Sequence, residues 1–283
     1  MSVGDEWRWR GRLFDDDADL YDRMRPPYPD AMFDDLALLT GTGDAAEVME
    51  IGCGTGQATV GLAARGWRVT AVEPGLRLAE VARRRLGGTG AVTIEVSPFE
   101  TWDDAGRRFD LAVAASSWHW VDPSVGWRRI HAALRPGGWF AILGRVVVRR
   151  DGEPEVYAHT ADLHERFAPG VPEWGHPPTE VEAMAEPTPW GPPNVDREGL
   201  FDAPAVRWYE VVQELDGEGF VDMLRTQSLY RQLPSSQREP LLDAIADRIR
   251  TELGDRAVRR YLGVLRAARR REGTGSRSPD LSA

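Results

Sequence analysis

The stretch EIGCGTGQ, Glu50 to Gln57, sets glycine at every second position, Gly52, Gly54 and Gly56, directly behind the apolar pair Val48-Met49. A glycine inside a regular element costs about 0.5–1 kcal/mol relative to alanine, so three together predict a turn whose backbone bends sharply or lies against a ligand. Glu50 keeps a carboxylate at the start of that turn. The segment before it, 47–51, has the composition of a buried strand, and the segment after it, 57–65, has helical spacing.

Outward from this turn, short apolar runs alternate with amphipathic stretches. Strands are expected at 68–72, 92–96, 109–115 and 139–143, and helices at 76–86 and 125–134. Strands alternating with helices imply βαβ units: an α/β, Rossmann-like, doubly wound and mostly parallel sheet spanning 47–150. RPGGWF, 135–140, stops a helix and turns into the next strand, because Pro136 cannot continue the helix and glycine takes positive φ. Upstream, helical spacing over 18–25 and 30–39, broken by PPYP at 26–29, predicts a helical N-terminal cover over 1–46. From 151 to 205 prolines crowd in beside Trp174 and Trp190, and such a long irregular insertion is expected to be a substrate lid. A strand over 206–212, helices over 220–225 and 237–253, and a strand-like stretch at 257–265 complete the sheet across 206–270. The polar tail, 271–283, is expected to be disordered.

With 283 residues, a net charge of −10 and 42% hydrophobic residues, the composition is that of a globular chain and excludes a broad nucleic-acid footprint. All 35 basic residues are arginine. The single cysteine, Cys53, excludes an intramolecular disulfide and a thiolate metal cluster. The start lacks the apolar core of a signal peptide, and no stretch approaches the ~20 apolar residues of a membrane span, so a cytoplasmic location is expected.

The glycine turn lies between a strand and a helix, where open α/β sheets bind ligands. Glu73 closes the next predicted strand, 17 residues beyond Gly56, and an acid there accepts the hydroxyls of a ribose. The site is therefore expected to hold a nucleoside. The dinucleotide fingerprint is G-x-G-x-x-G, whereas this turn is G-x-G-x-G, one residue shorter. That leaves an NAD-dependent oxidoreductase as the weaker alternative.

VMEIGCGTGQATVGLAARGWRVTAVEP and FDLAVAASSWHWVD, with the later LRPGGWFAI, resemble the class I S-adenosylmethionine-dependent methyltransferases. LYDRMRPPYPDAMFDDL and FVDMLRTQSLYRQLPSSQREPLL resemble a small-molecule branch of them, similar to the trans-aconitate methyltransferases. The resemblance runs from Leu20 to Arg270 and is weakest over 151–204. It implies a seven-stranded sheet with one antiparallel strand in the late pair. It also implies that Glu50, Gly52, Gly54 and Gly56 lie at the methionine part of the cofactor, Glu73 at the ribose, Phe99 beside the adenine and Ser116 at the amino-acid end. Many relatives carry an acid just before the position of Phe99; here Pro98 stands instead, leaving a backbone carbonyl or Ser97 to meet the adenine amino group.

Methyl transfer from a sulfonium is an in-line displacement that needs positioning and a dry cavity, with a base only where the acceptor keeps its proton. His119, in SSWHWVD, is the candidate base. Trp118 and Trp120 beside it, together with Tyr28, are candidates for the wall against a planar acceptor, while Tyr21 and Arg25 are candidates for the cofactor's carboxylate. His159, His164 and His176 have no zinc-like spacing, and no metal is expected. The expected activity is methyl transfer to an oxygen, nitrogen or carbon of a small molecule, with a catalytically silent S-adenosylmethionine-binding protein as the other alternative.

Overall fold

In the computed structural model the described residues are 15–86, 88, 90–152, 156–169, 177–185, 196 and 198–272. Two helices come first, α1 (Ala18–Met24) and α2 (Asp30–Thr40). The alternating region follows as β1 (Glu47–Ile51), α3 (Gln57–Ala63), β2 (Arg68–Glu73), α4 (Leu76–Leu86), β3 (Val92–Val96), β4 (Phe109–Ala115), α5 (Gly126–Ala133) and β5 (Leu134–Val148). The remainder comprises α6 (Val156–Phe167), α7 (Glu180–Ala185), β6 (Ala205–Leu215), α8 (Gly217–Arg225), α9 (Ser228–Arg231), α10 (Ser235–Glu252) and β7 (Ala257–Arg269).

The strands form one seven-stranded sheet in the order β3-β2-β1-β4-β5-β7-β6. β1, β2, β3, β4 and β5 pair in parallel, and β7 runs antiparallel between β5 and β6. Alternation along the strands feeds two cores. Val48, Leu111 and Val113 pack with Met32 and Phe33 of α2, Leu62 of α3 and Leu86 of α4. Met49, Ala112 and Ala114 pack on the other face with Trp127 and Ile130 of α5. Helices thus cover both faces, as expected of a doubly wound sheet.

The winding reverses between β1 and β4, so their carboxyl ends open a crevice where a ligand fits. On the other side of β4, β5 and β7 run on for 15 and 13 residues and build a floor beyond the crevice. β5 is longer than the 139–143 expected from sequence. The RPGG turn lies inside it, as an irregularity where the β4 register jumps between Phe109 and Leu111, and Gly137 takes φ +76° there.

The proline-rich region also differs from its expected irregularity. α6 buries Val156, Tyr157 and Leu163 in a third core with α8 and α10. Its apolar spacing is present in the sequence, but prolines on both sides obscure it. His164 of α6 is held by the Thr160 carbonyl at 2.9 Å and the Tyr230 hydroxyl at 2.7 Å, a structural role. Trp174, His176 and Trp190 lie outside the described residues, as does the tail from residue 273.

α2 and α3 touch at Gly61, where an added Cβ would come within 2.3 Å of the Phe33 ring. Gly61→Ala is expected to cost about 1–3 kcal/mol through overpacking, read as a lower urea midpoint at unchanged slope. An unchanged midpoint would mean that the N-terminal cover is not packed on α3 in solution.

Candidate functional site

The three glycines have φ of +67°, +57° and +82°, so the turn after β1 is left-handed at every second residue. At Gly52 space is decisive as well: a Cβ would sit 2.7 Å from Cβ of Ser117, at the end of β4. Gly56 opens α3 and lets Ala82 of α4 approach, at 3.3 Å from where its Cβ would be. The Gly52 N–H donates to the Val72 carbonyl at 2.7 Å, fixing the turn to β2.

Glu73 ends β2 and is 4% exposed. Its carboxylate accepts from the Gly54 N–H and from the Gly75 N–H, both at 2.8 Å, joining the loops that follow β1 and β2. Glu50 is fully buried, and neither of its carboxylate oxygens has a hydrogen-bond partner among the described residues. Burial pushes each of the two carboxyls up to about 7; Gly75 and Gly54 oppose the rise at Glu73, and at Glu50 the nearby Thr59 hydroxyl opposes it while the charge of Glu73 adds to it.

The N-terminal cover is pinned over this turn by side chains of α3 and β6 and by its own Arg25. Gln57 donates to the Asp22 and Arg25 carbonyls at 3.2 and 3.3 Å, Gln213 of β6 donates to the Met24 carbonyl at 3.0 Å, and Arg25 donates to the Thr226 carbonyl at 2.9 Å. Arg25 also stands over the Tyr21 ring at 4.8 Å. The Tyr28 hydroxyl meets the Ser116 hydroxyl at 2.8 Å, and the Arg145 guanidinium of β5 lies over the Tyr28 ring at 3.8 Å. Ser116 has φ +54°, an unusual conformation for a residue with a Cβ, which directs it past the end of β4.

His119 lies on a short 3-10 turn, residues Trp118–Trp120, with its ring 4.6 Å from that of Trp120. Burial, with the Arg25 charge adding, lowers its pKa to about 4, so at neutral pH the imidazole is uncharged.

One cavity of about 460 Å³ collects these groups. Tyr21, Arg25 and Tyr28 line it from the cover; Glu50, Gly52, Gly54 and Glu73 line it from the glycine turn; Phe99, Ser116, His119 and Trp120 close it. Two expected site residues do not line it. Trp118, expected on the acceptor wall, is 4% exposed and packs in the core against Phe140 at 4.7 Å and Trp127 at 5.1 Å, because the 3-10 turn points it away from the crevice. Gly56 serves the contact between α3 and α4 instead.

The cavity also contains residues that sequence reasoning missed. Glu100 faces it one residue beyond Phe99, and accepts from the Asp122 N–H at 2.9 Å. Ser97, considered for the adenine, instead donates to the Pro98 carbonyl at 3.1 Å and is not on the wall. Arg145 and Arg259 reach in from β5 and β7. Their signal was a charge inside an apolar strand, in AILGRVVV and AVRRYLGVL.

The cavity at the switch point, with an acid at the end of β2, is the ligand site of a Rossmann-like sheet. The chain belongs to the methyltransferase-domain family, which residues 49–142 match. It is 32% identical over 164 residues to the magnesium-protoporphyrin O-methyltransferase of Rhodobacter capsulatus, covering 52% of this chain and 69% of that one. It is 35% identical over 150 residues to an uncharacterised methyltransferase of Mycobacterium tuberculosis, covering 47% of this chain and 58% of that relative, so the match spans less than two thirds of its length. A solved structure assigned as a type II methyltransferase of Anaeromyxobacter dehalogenans is similar at TM-score 0.59 and 28% identity, over 87% of this chain and 97% of the other.

S-adenosylmethionine, the donor of this family, fits the residues present. The turn at Gly52 and Gly54 leaves the backbone open to the cavity, and the Glu50 carboxylate lacks a partner that a donor's polar groups can supply. Among the described residues no helix is long and apolar enough to cross a membrane.

The buried Glu50 carboxyl makes stability depend on pH. Its folded value of about 7 lies above the ordinary 4.5, so the folded chain keeps a proton that the unfolded chain has lost between those values. The stability from this group is complete below the ordinary value and is lost as pH rises through about 7. Glu50→Gln is expected to flatten that fall and to raise the stability of the ligand-free protein at pH 8 by about 1–3 kcal/mol. Urea denaturation at pH 5 and pH 8 measures it; a variant that retains the full wild-type loss would assign the titration to Glu73 alone.

Proposed function

We propose that this chain transfers a methyl group from S-adenosylmethionine to an oxygen, nitrogen or carbon of a small planar molecule. The observation that carries the reading is that the ribose-binding candidate Glu73 and the uncharged imidazole of His119 line the same cavity. The aromatic side chains of Tyr28 and Trp120 among its lining support a partly apolar acceptor. The Rhodobacter relative is named for a planar macrocycle, which supports the same class of acceptor. The net charge of −10 supports a small-molecule partner rather than a nucleic acid.

In this reading Glu73 binds the ribose while keeping the two backbone N–H groups it already accepts. Glu50 accepts from the cofactor's ammonium, Arg25 and Tyr21 hold its carboxylate, and Phe99 packs on the adenine, with Glu100 on the same wall. The bound cofactor supplies an electrophilic methyl on a sulfonium. His119 takes a proton from the acceptor: being neutral it has the lone pair to do so, and its low basicity suits an acceptor that is itself acidic. Burial excludes water from the displacement. From the described part of the 151–205 insertion, α6 sets the Tyr157 ring 5.7 Å from the Arg259 guanidinium of the cavity, and we assign that insertion to the acceptor side.

Calorimetric titration with S-adenosylmethionine, S-adenosylhomocysteine and NADH tests the cofactor. The first two are expected to bind and NADH is not; binding of NADH alone would replace methyl transfer with redox chemistry. Glu73→Ala is expected to weaken S-adenosylhomocysteine by about 1–3 kcal/mol, the loss of a charged hydrogen bond. For His119→Ala, turnover should fall while cofactor affinity stays near wild type, and wild-type turnover would leave the imidazole as a wall residue.

A further inference from the structure

The half of the cavity away from Glu73 is built by strands β5 and β7. Arg145 on β5 is paired in register with Gly263 of β7, and Val147 with Tyr261, so Arg145, Val147, Arg259 and Tyr261 occupy one face of the sheet and all line the cavity. Two guanidinium groups thus stand on the sheet side of the cavity, apart from Arg25 of the cover.

Neither arginine, Arg145 partly and Arg259 fully buried, has an anionic partner among the described residues. Arg145 is stacked on the Tyr28 ring, and its Nε and Nη2 are buried with no hydrogen-bond partner; no ion pair to it is formed among the described residues. Arg259 is 3% exposed and lies between the rings of Tyr157 and Tyr261, at 5.7 and 4.7 Å. Its Nη1 meets only the Met223 sulfur, a weak acceptor, and its Nε meets nothing. The acids of the cavity do not serve them: Glu73 holds Gly54 and Gly75, Glu100 holds Asp122, and the groups acting on Glu50 are Thr59 and Glu73. Buried cations are ordinarily paired, and a guanidinium offers a planar fork matched to a carboxylate.

We propose that the methyl acceptor is an anion: a carboxylate-bearing small molecule whose charge is taken by Arg145, with Arg259 setting the positive potential of the far wall. This rests on the methyl-transfer reading above, and it narrows the acceptor from planar molecules in general to planar acids. Arg145 meets Tyr28, which meets Ser116 at the end of β4, so an acid bound there lies beside the place where methyl transfer occurs.

The test is a titration of the protein saturated with S-adenosylhomocysteine, using benzoate, phenyl phosphate and neutral benzamide as probes. Benzoate is expected to bind at least about tenfold more tightly than benzamide and more tightly than phenyl phosphate. Arg145→Met should remove that preference while leaving S-adenosylhomocysteine affinity within about twofold; Arg259→Lys, which keeps the charge, should retain it. Equal binding of benzoate and benzamide, no binding of benzoate, or full preference in Arg145→Met would overturn the proposal. Tighter binding of phenyl phosphate would replace the carboxylate with a phosphate ester. A loss of S-adenosylhomocysteine affinity in Arg145→Met would give that guanidinium to the cofactor instead. Failure of the wild-type protein to bind S-adenosylhomocysteine would remove the methyl-transfer reading, and this inference with it.

Discussion

The crevice depends on one buried carboxylate. Glu73 accepts from the backbone N–H groups of Gly54 and Gly75 at 2.8 Å each, so the loops leaving β1 and β2 cannot move apart without leaving two donors and a charge unsatisfied inside the protein. The same constraint explains the glycines. With the turn held at Gly54 and at the Val72 carbonyl, Gly52 is pressed against Ser117 and no side chain fits there. Burial simultaneously makes the carboxyl reluctant to ionise, so the group that organises the loops also responds to charge that enters the cavity.

Around that constraint the turn between α1 and α2 is held by hydrogen bonds, and α2 meets the sheet through apolar contact. Main-chain carbonyls of Asp22, Met24 and Arg25 are taken by glutamines from α3 and β6. The turn between α1 and α2 is thereby fixed at both ends of the cavity, while α2 itself is anchored in the core through Met32 and Phe33. This arrangement gives the cover a rigid foundation and a polar rim.

Much of this was legible in the sequence where local chemistry and global fold agree. The glycine turn, the strands at 47–51, 92–96 and 109–115, and the helix at 76–86 fall where periodicity places them, because parallel strands buried on both faces are continuous apolar runs. Tyr21, Arg25, Tyr28, Glu73, Phe99 and His119, each singled out in the sequence, line one cavity. Trp118 was not legible: WHW offers two equivalent rings, and only the 3-10 geometry decides which one enters the core. α6 was hidden by flanking prolines, since its stability comes from packing on α8 and α10 rather than from its own propensity. Arg145 and Arg259 were missed because a strand register across β5 and β7 is needed to bring residues 114 positions apart onto one face.

Beneath the cover the cavity has two sides. The turn after β1 and the end of β2 make one, and the long β5 and β7 make the other. Side chains at alternate positions of β5 and β7 point into the second half without sharing a hydrogen bond with the first. A substitution there leaves the hydrogen bonds of the glycine turn in place, so the shape of one side can vary while the other keeps its geometry.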